Sequence, residues 1–189
     1  FRKSVNGRYR QEDIQLTVLA FVVKACVAAL KKYPEFNASL DATGENLILK
    51  RYYHIGFATD TAQGLVVPVI RDADRKGVIQ IAREMTQLSS LAREGKLNSS
   101  DMQGASFTIT SLGSIGGTYF TPLINAPEVA IVGLSRITTQ PVWDGEQFRP
   151  RLILPLSLSY DHRVIDGVQG VRFVTYLAKV LFDMKETLL

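Results

Sequence analysis

The sequence predicts a single domain of mixed α/β structure. Segments whose apolar residues recur at helical spacing are separated by runs rich in β-branched and aromatic residues. No stretch rich in Pro, Gly or Ser divides the 189 residues, and 46% of them are hydrophobic, which is enough for one buried core. We therefore expect residues 1–189 to form one domain. Because the chain begins with Phe1, we expect the N-terminal part of the natural protein to lie outside this sequence.

Three segments are predicted to be helices. The first is amphipathic and ends near Tyr33 and Pro34, with lysines opposite its apolar stripe. The stripe consists of Leu16, Leu19, Ala20, Val23, Val27 and Leu30. The second covers residues 79–92, with Gly95 at the position of a C-terminal cap, and the third covers residues 168–184.

Five runs are predicted to be strands. Residues 52–59 and 65–70 indicate a hairpin broken at Gly64, and residues 107–112, 129–134 and 152–160 indicate further strands. In the last run, alternate residues share one face, and these are Leu152, Leu154, Leu156, Leu158 and Tyr160. The glycine spacing of dinucleotide-binding folds and of P-loops is absent from the sequence.

The composition excludes several classes of function. The 22 Lys and Arg against 18 Asp and Glu give a small positive charge spread along the chain, which argues against a nucleic-acid partner. The longest apolar stretch is too short and too polar to span a membrane. One cysteine, Cys26, excludes an internal disulfide and a cysteine-rich zinc site, and no other metal site is expected.

The candidates for a general base are two histidines. His54 lies within a strand-like run, which favours a hydrogen-bonded structural role. His162 continues the parity of the run ending at Tyr160, so we expect it to point to the apolar side, at the mouth of a buried layer. Asp166 and Gly167 then indicate a turn into the last helix. From the spacing alone, a capping aspartate beside a packed histidine is an equally good interpretation.

Four segments carry a resemblance to a known family. His162 to Gly167 fits the pattern H-x-x-x-D-G, and residues 64–71, 106–113 and 125–130 are similar to further blocks of the same family, in the same order and spacing. Together they resemble the catalytic domains of the acyltransferase subunits of 2-oxoacid dehydrogenase complexes, and most closely the bacterial pyruvate type. The resemblance covers nearly the whole chain. It implies the α/β fold of chloramphenicol acetyltransferase, a mixed sheet with flanking helices, assembled as trimers with active sites between neighbouring subunits.

The resemblance also implies a reaction and its residues. An acetyl group would pass between a lipoyl group and coenzyme A, with His162 as general base and the hydroxyl of Thr110 as donor to the oxyanion. Asp166 would orient the loop around His162, whose ring the related fold steers by a main-chain carbonyl. Without the resemblance, Thr110 is better explained as an ordinary strand threonine, and Ser111 is expected on the opposite strand face.

Substrate contacts are implied at two further places. Arg2 aligns with a basic residue that the family uses near the ribose phosphate of coenzyme A. Gly116, Gly117 and Phe120 align with the lining of the channel where the lipoyl and pantetheine arms meet, and glycine there would allow a close approach to backbone. From the residues alone, ordinary structural turns explain this glycine-rich segment equally well.

Expected partners follow from the same resemblance. The domain would form homotrimers that associate into a hollow cubic core of eight trimers, through an apolar C-terminal tip at Leu188 and Leu189. The lipoyl group, and the sites for the dehydrogenase and dihydrolipoamide dehydrogenase subunits, would lie on domains outside this sequence. The expected location is the bacterial cytoplasm, or the mitochondrial matrix for a eukaryotic protein.

Other functions of the same fold stay open at this stage. They are succinyl or branched-chain acyl transfer, antibiotic acetylation, and a core subunit without catalysis. Retention of both His162 and Thr110 argues against the last of these.

Overall fold

The computed structural model describes residues 16–184. Its helices are α1 (Val18–Lys32), α2 (Val78–Arg93) and α3 (Gly167–Phe182). Two short 3-10 turns cover Pro34–Phe36 and Ser99–Met102. These bounds confirm the three predicted helices, and Gly95, just past the end of α2, has a φ of 67° as expected for a C-terminal cap.

The strands are short. In chain order they are β1 (Ala38–Leu40), β2 (Leu47–Leu49), β3 (Ile55–Phe57), β4 (Thr59–Thr61), β5 (Gly64–Val66), β6 (Val69–Ile70), β7 (Phe107–Ser111), β8 (Ala130–Leu134), β9 (Thr138–Trp143), β10 (Phe148–Ile153) and β11 (Leu156–Tyr160). The hairpin predicted around Gly64 is confirmed, because β4 pairs with β5 and β3 pairs with β6, both antiparallel.

A five-stranded mixed sheet forms the centre of the described structure. Its order is β11-β8-β7-β3-β6. The strands β3, β7 and β8 run parallel, whereas β11 and β6 are antiparallel to their neighbours. Three pairs of strands outside it, β1 with β2, β4 with β5 and β9 with β10, form two-stranded sheets.

The two faces of the central sheet differ in character. Residues that are paired across strands point to the same face, so the register assigns each side chain to a side. One face, the helix face, carries the large apolar residues Ile55, Phe57, Phe107, Ile109, Ala130, Val132, Leu158 and Tyr160. The other, which we call the small-residue face, carries Gly56, Thr108, Thr110, Ile131, Gly133, Ser157 and Ser159.

Helices pack against the helix face. The ring of Phe173 on α3 lies 5.8 Å from that of Phe107 and stacks on Phe36 at 4.2 Å. Helix α1 packs against both α2 and α3, and it is buried over more of its circumference than the amphipathic prediction implied. Phe21, Val22 and Cys26, which lie outside the predicted stripe, are buried as well, because α1 has neighbours on several sides.

The prediction of one strand over residues 152–160 is wrong. The segment breaks at Pro155, which has no backbone N–H to donate to a ladder, and its two halves belong to different sheets. Residues 148–153 pair with β9 in a hairpin that the sequence analysis missed, where Leu152 is 77% exposed. Leu156, Leu158 and Tyr160 do share the helix face, as their alternation predicts.

Within residues 16–184, no helix is both long enough and apolar enough to cross a membrane. The apolar helix α1 instead supplies much of the buried core.

The contact between α3 and β11 gives a test of the fold. A Cβ added at Gly170 would lie 2.8 Å from Cε1 of Tyr160, whereas one at Gly167 would meet nothing closer than 3.9 Å. We expect Gly170→Ala to lower the free energy of unfolding by about 1–3 kcal/mol, because α3 must shift away from β11. Gly167→Ala is the matched control, and heat unfolding followed by circular dichroism measures both. Equal midpoints for the two variants would contradict the close packing.

Candidate functional site

Thr110 lies near the C-terminal end of β7 on the small-residue face. It pairs with Gly133 of β8, which in turn pairs with Ser157 of β11. The side chain is partly exposed, and its hydroxyl has no hydrogen-bond partner among residues 16–184. The local hydrogen bond expected of a merely structural threonine is therefore missing. Ser111 belongs to the opposite face, as the sequence predicts, and is exposed.

Phe120 lies beside Thr110 on the same face. Its ring occupies the space above Gly133, where an added Cβ would come within 2.6 Å of the ring atom Cζ. Because Gly133 and Thr110 are paired, this places the aromatic ring next to the threonine side chain. A cavity of about 420 Å³ is lined by Phe120 together with Ser157 and Ser159.

The glycine-rich segment follows β7 directly. Gly116 and Gly117 have φ angles of 140° and 86°, which L side chains rarely adopt, and nothing lies within 4 Å of a Cβ built at either position. Within one chain these glycines are therefore required by backbone conformation. Open space beside both glycines leaves the backbone accessible, and the close approach of a substrate there stays a prediction.

A groove of about 920 Å³ opens at the same end of β7, between α1 and α2. Its lining includes Ser111 and Gly113, the cations Arg93 and Arg136, and one acid, Asp60. Ser135, 2% exposed, also lines the groove, and its Oγ has no hydrogen-bond partner in the described residues. Guanidinium groups and hydroxyls are the groups that bind phosphate.

His162 lies in the turn that follows β11. Its ring is 5.6 Å from that of Tyr160, on the helix side as parity predicts, but the side chain is exposed in the single chain. His162 thus lies beside a residue that packs against the core, as expected for a position at the mouth of a buried layer, with its own side chain open to solvent in the single chain. No hydrogen bond from residues 16–184 holds the ring, so the steering carbonyl implied by the resemblance is not found among them.

The turn itself is held by Asp161, which the sequence analysis missed. Its backbone N–H donates to the carbonyl of Val129 at 2.8 Å, and its carbonyl accepts from Val164 and Ile165, each at 3.0 Å. Its carboxylate accepts hydrogen bonds from Arg163, including one of 2.6 Å from Nη2, and these bonds hold the pKa of Asp161 below its usual value. The only sign of this pair in the sequence was that an acid, Asp161, and a base, Arg163, flank His162.

Asp166 caps α3. Its carboxylate accepts from the backbone N–H of Gln169 at 2.8 Å, and the Gln169 side chain accepts from the backbone N–H of Asp166 at 3.1 Å. This is a reciprocal capping box. Asp166 therefore fixes the end of the turn that carries His162, while Arg163 pairs with Asp161.

Thr110 and His162 lie at opposite ends of the central sheet. Thr110 is level with Ser157, since both pair with Gly133 of β8, and Ser157 lies near the start of β11. His162 follows the other end of β11, which is antiparallel to β8. The distance between Thr110 and His162 has a component of more than about 10 Å along β11 and another of about 10 Å across the two strand spacings from β7 to β11. A single subunit therefore does not bring the two candidate catalytic residues together.

A buried carboxyl lies between these two ends. Glu128 is 5% exposed, and its Oε1 accepts hydrogen bonds from Thr108 at 2.9 Å and Asn125 at 3.0 Å. Burial raises the pKa of Glu128 to about 7, against the opposing effect of these hydrogen bonds and of Lys50. No role was predicted for Glu128, since nothing local in the sequence reveals a hydrogen bond across strands.

The other predicted site residues have different outcomes. Nδ1 of His54 accepts from the backbone N–H of Asp72 at 3.0 Å, and the His54 carbonyl accepts from Ser106, so the predicted hydrogen-bonded histidine is confirmed. Burial lowers the pKa of His54. Arg2, Leu188 and Leu189 lie outside the described residues.

The whole chain matches one protein family. The family model for 2-oxoacid dehydrogenases acyltransferase (catalytic domain) matches residues 1–189. A relative from Cupriavidus necator, the dihydrolipoyllysine-residue acetyltransferase component of the pyruvate dehydrogenase complex, is 60% identical over 100% of this chain and 34% of its own length. The component of the same name from Pseudomonas aeruginosa is 55% identical over 100% of this chain and 35% of its own length. The chain thus spans about a third of the curated relatives it matches.

Solved structures agree with this match. Dihydrolipoamide acetyltransferase of Azotobacter vinelandii, from a study of a serine, a histidine and an asparagine in its catalytic mechanism, has a TM-score of 0.97 and 53% identity over 100% of this chain and 78% of that chain. The cubic core of a pyruvate dehydrogenase multienzyme complex gives the same values. Chloramphenicol acetyltransferase shares the fold, with a TM-score of 0.60 and 16% identity over 93% of this chain and 82% of that one. Since the family model covers every residue, the chain belongs to the 2-oxoacid dehydrogenase acyltransferases, as their catalytic domain.

Proposed function

We propose that this chain transfers an acetyl group between a dihydrolipoyl thioester and coenzyme A, and forms the structural core of a pyruvate dehydrogenase complex. The proposal rests mainly on one observation, which is the placement of Thr110 and His162 at the two ends of the sheet in a chain that matches this family throughout. Relatives that are 53–60% identical carry the name of the acetyl-transferring component.

Sequence intervals support the assignment of the catalytic residues. In the Azotobacter vinelandii enzyme, the interval from the studied serine to the histidine equals that from Thr110 to His162 here, and the asparagine follows the histidine as Asp166 follows His162. Threonine keeps the hydroxyl of serine. Asp and Asn are equally good helix caps, so the role of Asp166 is to orient the turn, and its negative charge is not required.

His162 acts as the general base. The thiol of coenzyme A, with a pKa near the ~8.5 of a cysteine thiol, is mostly protonated at neutral pH. A neutral imidazole accepts the thiol proton as sulfur attacks the thioester carbonyl of the acetylated lipoyl group. The same imidazole then returns the proton to the departing dihydrolipoyl thiolate. Because the ring of His162 has no hydrogen bond within the described chain, both nitrogens are available to the substrate and the neighbouring subunit.

Thr110 stabilises the tetrahedral intermediate. Attack of the thiol places negative charge on the former carbonyl oxygen, and one positioned donor is worth about 3 kcal/mol of barrier. The free hydroxyl of Thr110 supplies this donor, and the adjacent ring of Phe120 keeps water away from it. As the resemblance implies, Gly116, Gly117 and Phe120 would line the channel for the lipoyl and pantetheine arms, and Arg2 would contact the ribose phosphate of coenzyme A. The groove lined by Arg93 and Arg136 supplies cations suited to the phosphorylated part of coenzyme A.

Complete sites require more than one subunit. We infer that His162 of one subunit meets Thr110 of the next in a homotrimer, and that trimers associate into a cubic core like that of the pyruvate dehydrogenase structure matched above. The lipoyl group and the sites for the dehydrogenase and dihydrolipoamide dehydrogenase subunits belong to the remaining two thirds of the full-length protein.

Acyl preference is tested with free dihydrolipoamide and three acyl donors. We expect the full-length protein to transfer acetyl from acetyl-coenzyme A with a kcat/KM at least about tenfold above those for succinyl- and isobutyryl-coenzyme A. Spectroscopic assay of the new thioester measures all three. A preference for succinyl or isobutyryl would assign the chain to another branch of the family, and no transfer at all would make it a core subunit without catalysis.

The hydroxyl at position 110 gives a second prediction. Thr110→Ala should lower kcat by about 10²- to 10³-fold, because the oxyanion loses its donor, whereas Thr110→Ser should keep much of the activity. Steady-state kinetics on the folded, assembled variants measure the difference. Equal rates for the alanine and serine variants would remove the hydroxyl from the mechanism.

The shared site is tested with hybrid trimers. His162→Ala alone should lower kcat by at least about 10²-fold through loss of the base. Coexpression of His162→Ala with Thr110→Ala subunits in equal amounts, purified without selection for mixed trimers, should restore about a quarter of the wild-type rate, since random assembly leaves that share of interfaces with both groups intact. Hybrids no more active than the two separate variants would show that both groups act within one subunit.

A further inference from the structure

Glu128 is a buried acid that the proposed chemistry does not use. One carboxylate oxygen accepts from Thr108 and Asn125, while the other, Oε2, is buried without a hydrogen-bond partner in the described residues. A carboxyl that is only half satisfied is costly to bury, and an apolar residue of similar size would stabilise the fold more. Stability alone therefore does not account for an acid at this position.

The contacts of Glu128 connect the strand of Thr110 with the loop of Phe120, and its neighbour in sequence contacts the turn of His162. Thr108 lies two residues before Thr110 and therefore on the same face of β7. Asn125 ends the loop that carries Phe120, and its amide donates to the same carboxylate oxygen as Thr108.

The turn of His162 is attached through the next residue along the chain. The carbonyl of Val129, adjacent to Glu128, accepts from Asp161, the residue that precedes His162. A movement of the Glu128 backbone is therefore transmitted to the His162 turn by one peptide group.

We propose that Glu128 is a positioning residue that fixes the Thr110 strand, the Phe120 loop and the His162 turn relative to one another. This inference rests on the proposed function. Because His162 and Thr110 of one subunit serve two different sites, Glu128 of each subunit affects both sites in which that subunit takes part.

The ionised form is the stronger clamp. A carboxylate accepts shorter and stronger hydrogen bonds from Thr108 and Asn125 than a neutral acid does. Lys50, which is partly buried and donates from Nζ to the Ala105 carbonyl, is the charged group that favours the ionised form, whereas burial opposes it.

The first test separates positioning from stability in the full-length protein. Glu128→Ala should lower kcat by about 10- to 100-fold in fully assembled protein, because small misplacements of reacting groups are costly, with KM for both substrates unchanged within about threefold. Glu128→Gln should restore most of kcat, since its amide oxygen accepts both hydrogen bonds. Thr108→Val removes the hydroxyl that donates to Glu128 and keeps the shape of the side chain, so it should also lower kcat. This variant replaces Glu128→Ala in the test if the alanine variant does not fold.

A matched control addresses general loss of stability. Ile81→Ala removes a fully buried side chain of α2, and should lower the unfolding midpoint while leaving kcat unchanged. If assembled Glu128→Ala or Thr108→Val protein has wild-type kcat, or if Ile81→Ala lowers kcat equally, the positioning role is overturned.

The second test asks whether Glu128 acts on two sites. In one mixture Glu128→Ala is combined with Thr110→Ala in the same subunit, which then supplies only the base, His162. In the other mixture it is combined with His162→Ala, and that subunit supplies only the hydroxyl of Thr110. Both mixtures should be about tenfold or more slower than the parent mixture. Loss in one mixture alone would overturn the two-site role. An inactive parent mixture would instead indicate failure of the proposed shared site, so the two failures are distinguishable.

Discussion

The rest of the molecule depends on how β8 pairs with its two neighbours, because these neighbours run in opposite directions. β8 runs parallel to β7 and antiparallel to β11. The C-terminal ends of β7 and β11 therefore emerge at opposite ends of the sheet, with Thr110 near the end of β7 and His162 just after the end of β11. Reversal of either pairing would bring Thr110 and His162 to the same end of the sheet, and the proposed division of the site between subunits would lose its structural basis.

The contrast between the two faces of the sheet has a further effect on the site. The helix face is filled by large apolar side chains that contact α1 and α3, so the strands are held firmly from one side. The small-residue face leaves room for the Cζ end of the Phe120 ring to lie against Gly133, and a methyl group at Gly56 would collide with Thr108 and Val67. Thr110, the proposed donor to the oxyanion, thus lies on an open face of the sheet, above a layer of tightly packed apolar side chains.

Much of the fold was predictable because its elements are locally specified. Helical periodicity gave α1, α2 and α3 within a few residues, and the turn at Gly64 gave the hairpin. The break at Pro155 was missed because apolar alternation continues through it from one sheet into another. Among the proposed site residues, His162 and Asp166 came from the motif and Thr110 from the wider resemblance, but Asp161 and Glu128 act through hydrogen bonds to partners distant in sequence or through a turn geometry that spacing does not encode. The division of the site between subunits came only from the resemblance, and the strand register supports it by placing Thr110 and His162 of one subunit at opposite ends of the sheet.

The proposed division of the site, with one half at each end of the sheet, also governs which assemblies make full use of the chain. Subunits joined head to tail in an open row always leave one unmatched half at each end of the row, so some catalytic groups are idle. A closed ring has no ends, and every base then meets a hydroxyl with one site for each subunit. Ring closure is thus favoured by catalytic yield as well as by buried surface, and a mutation that opened the ring at one interface would remove one site while leaving the others complete.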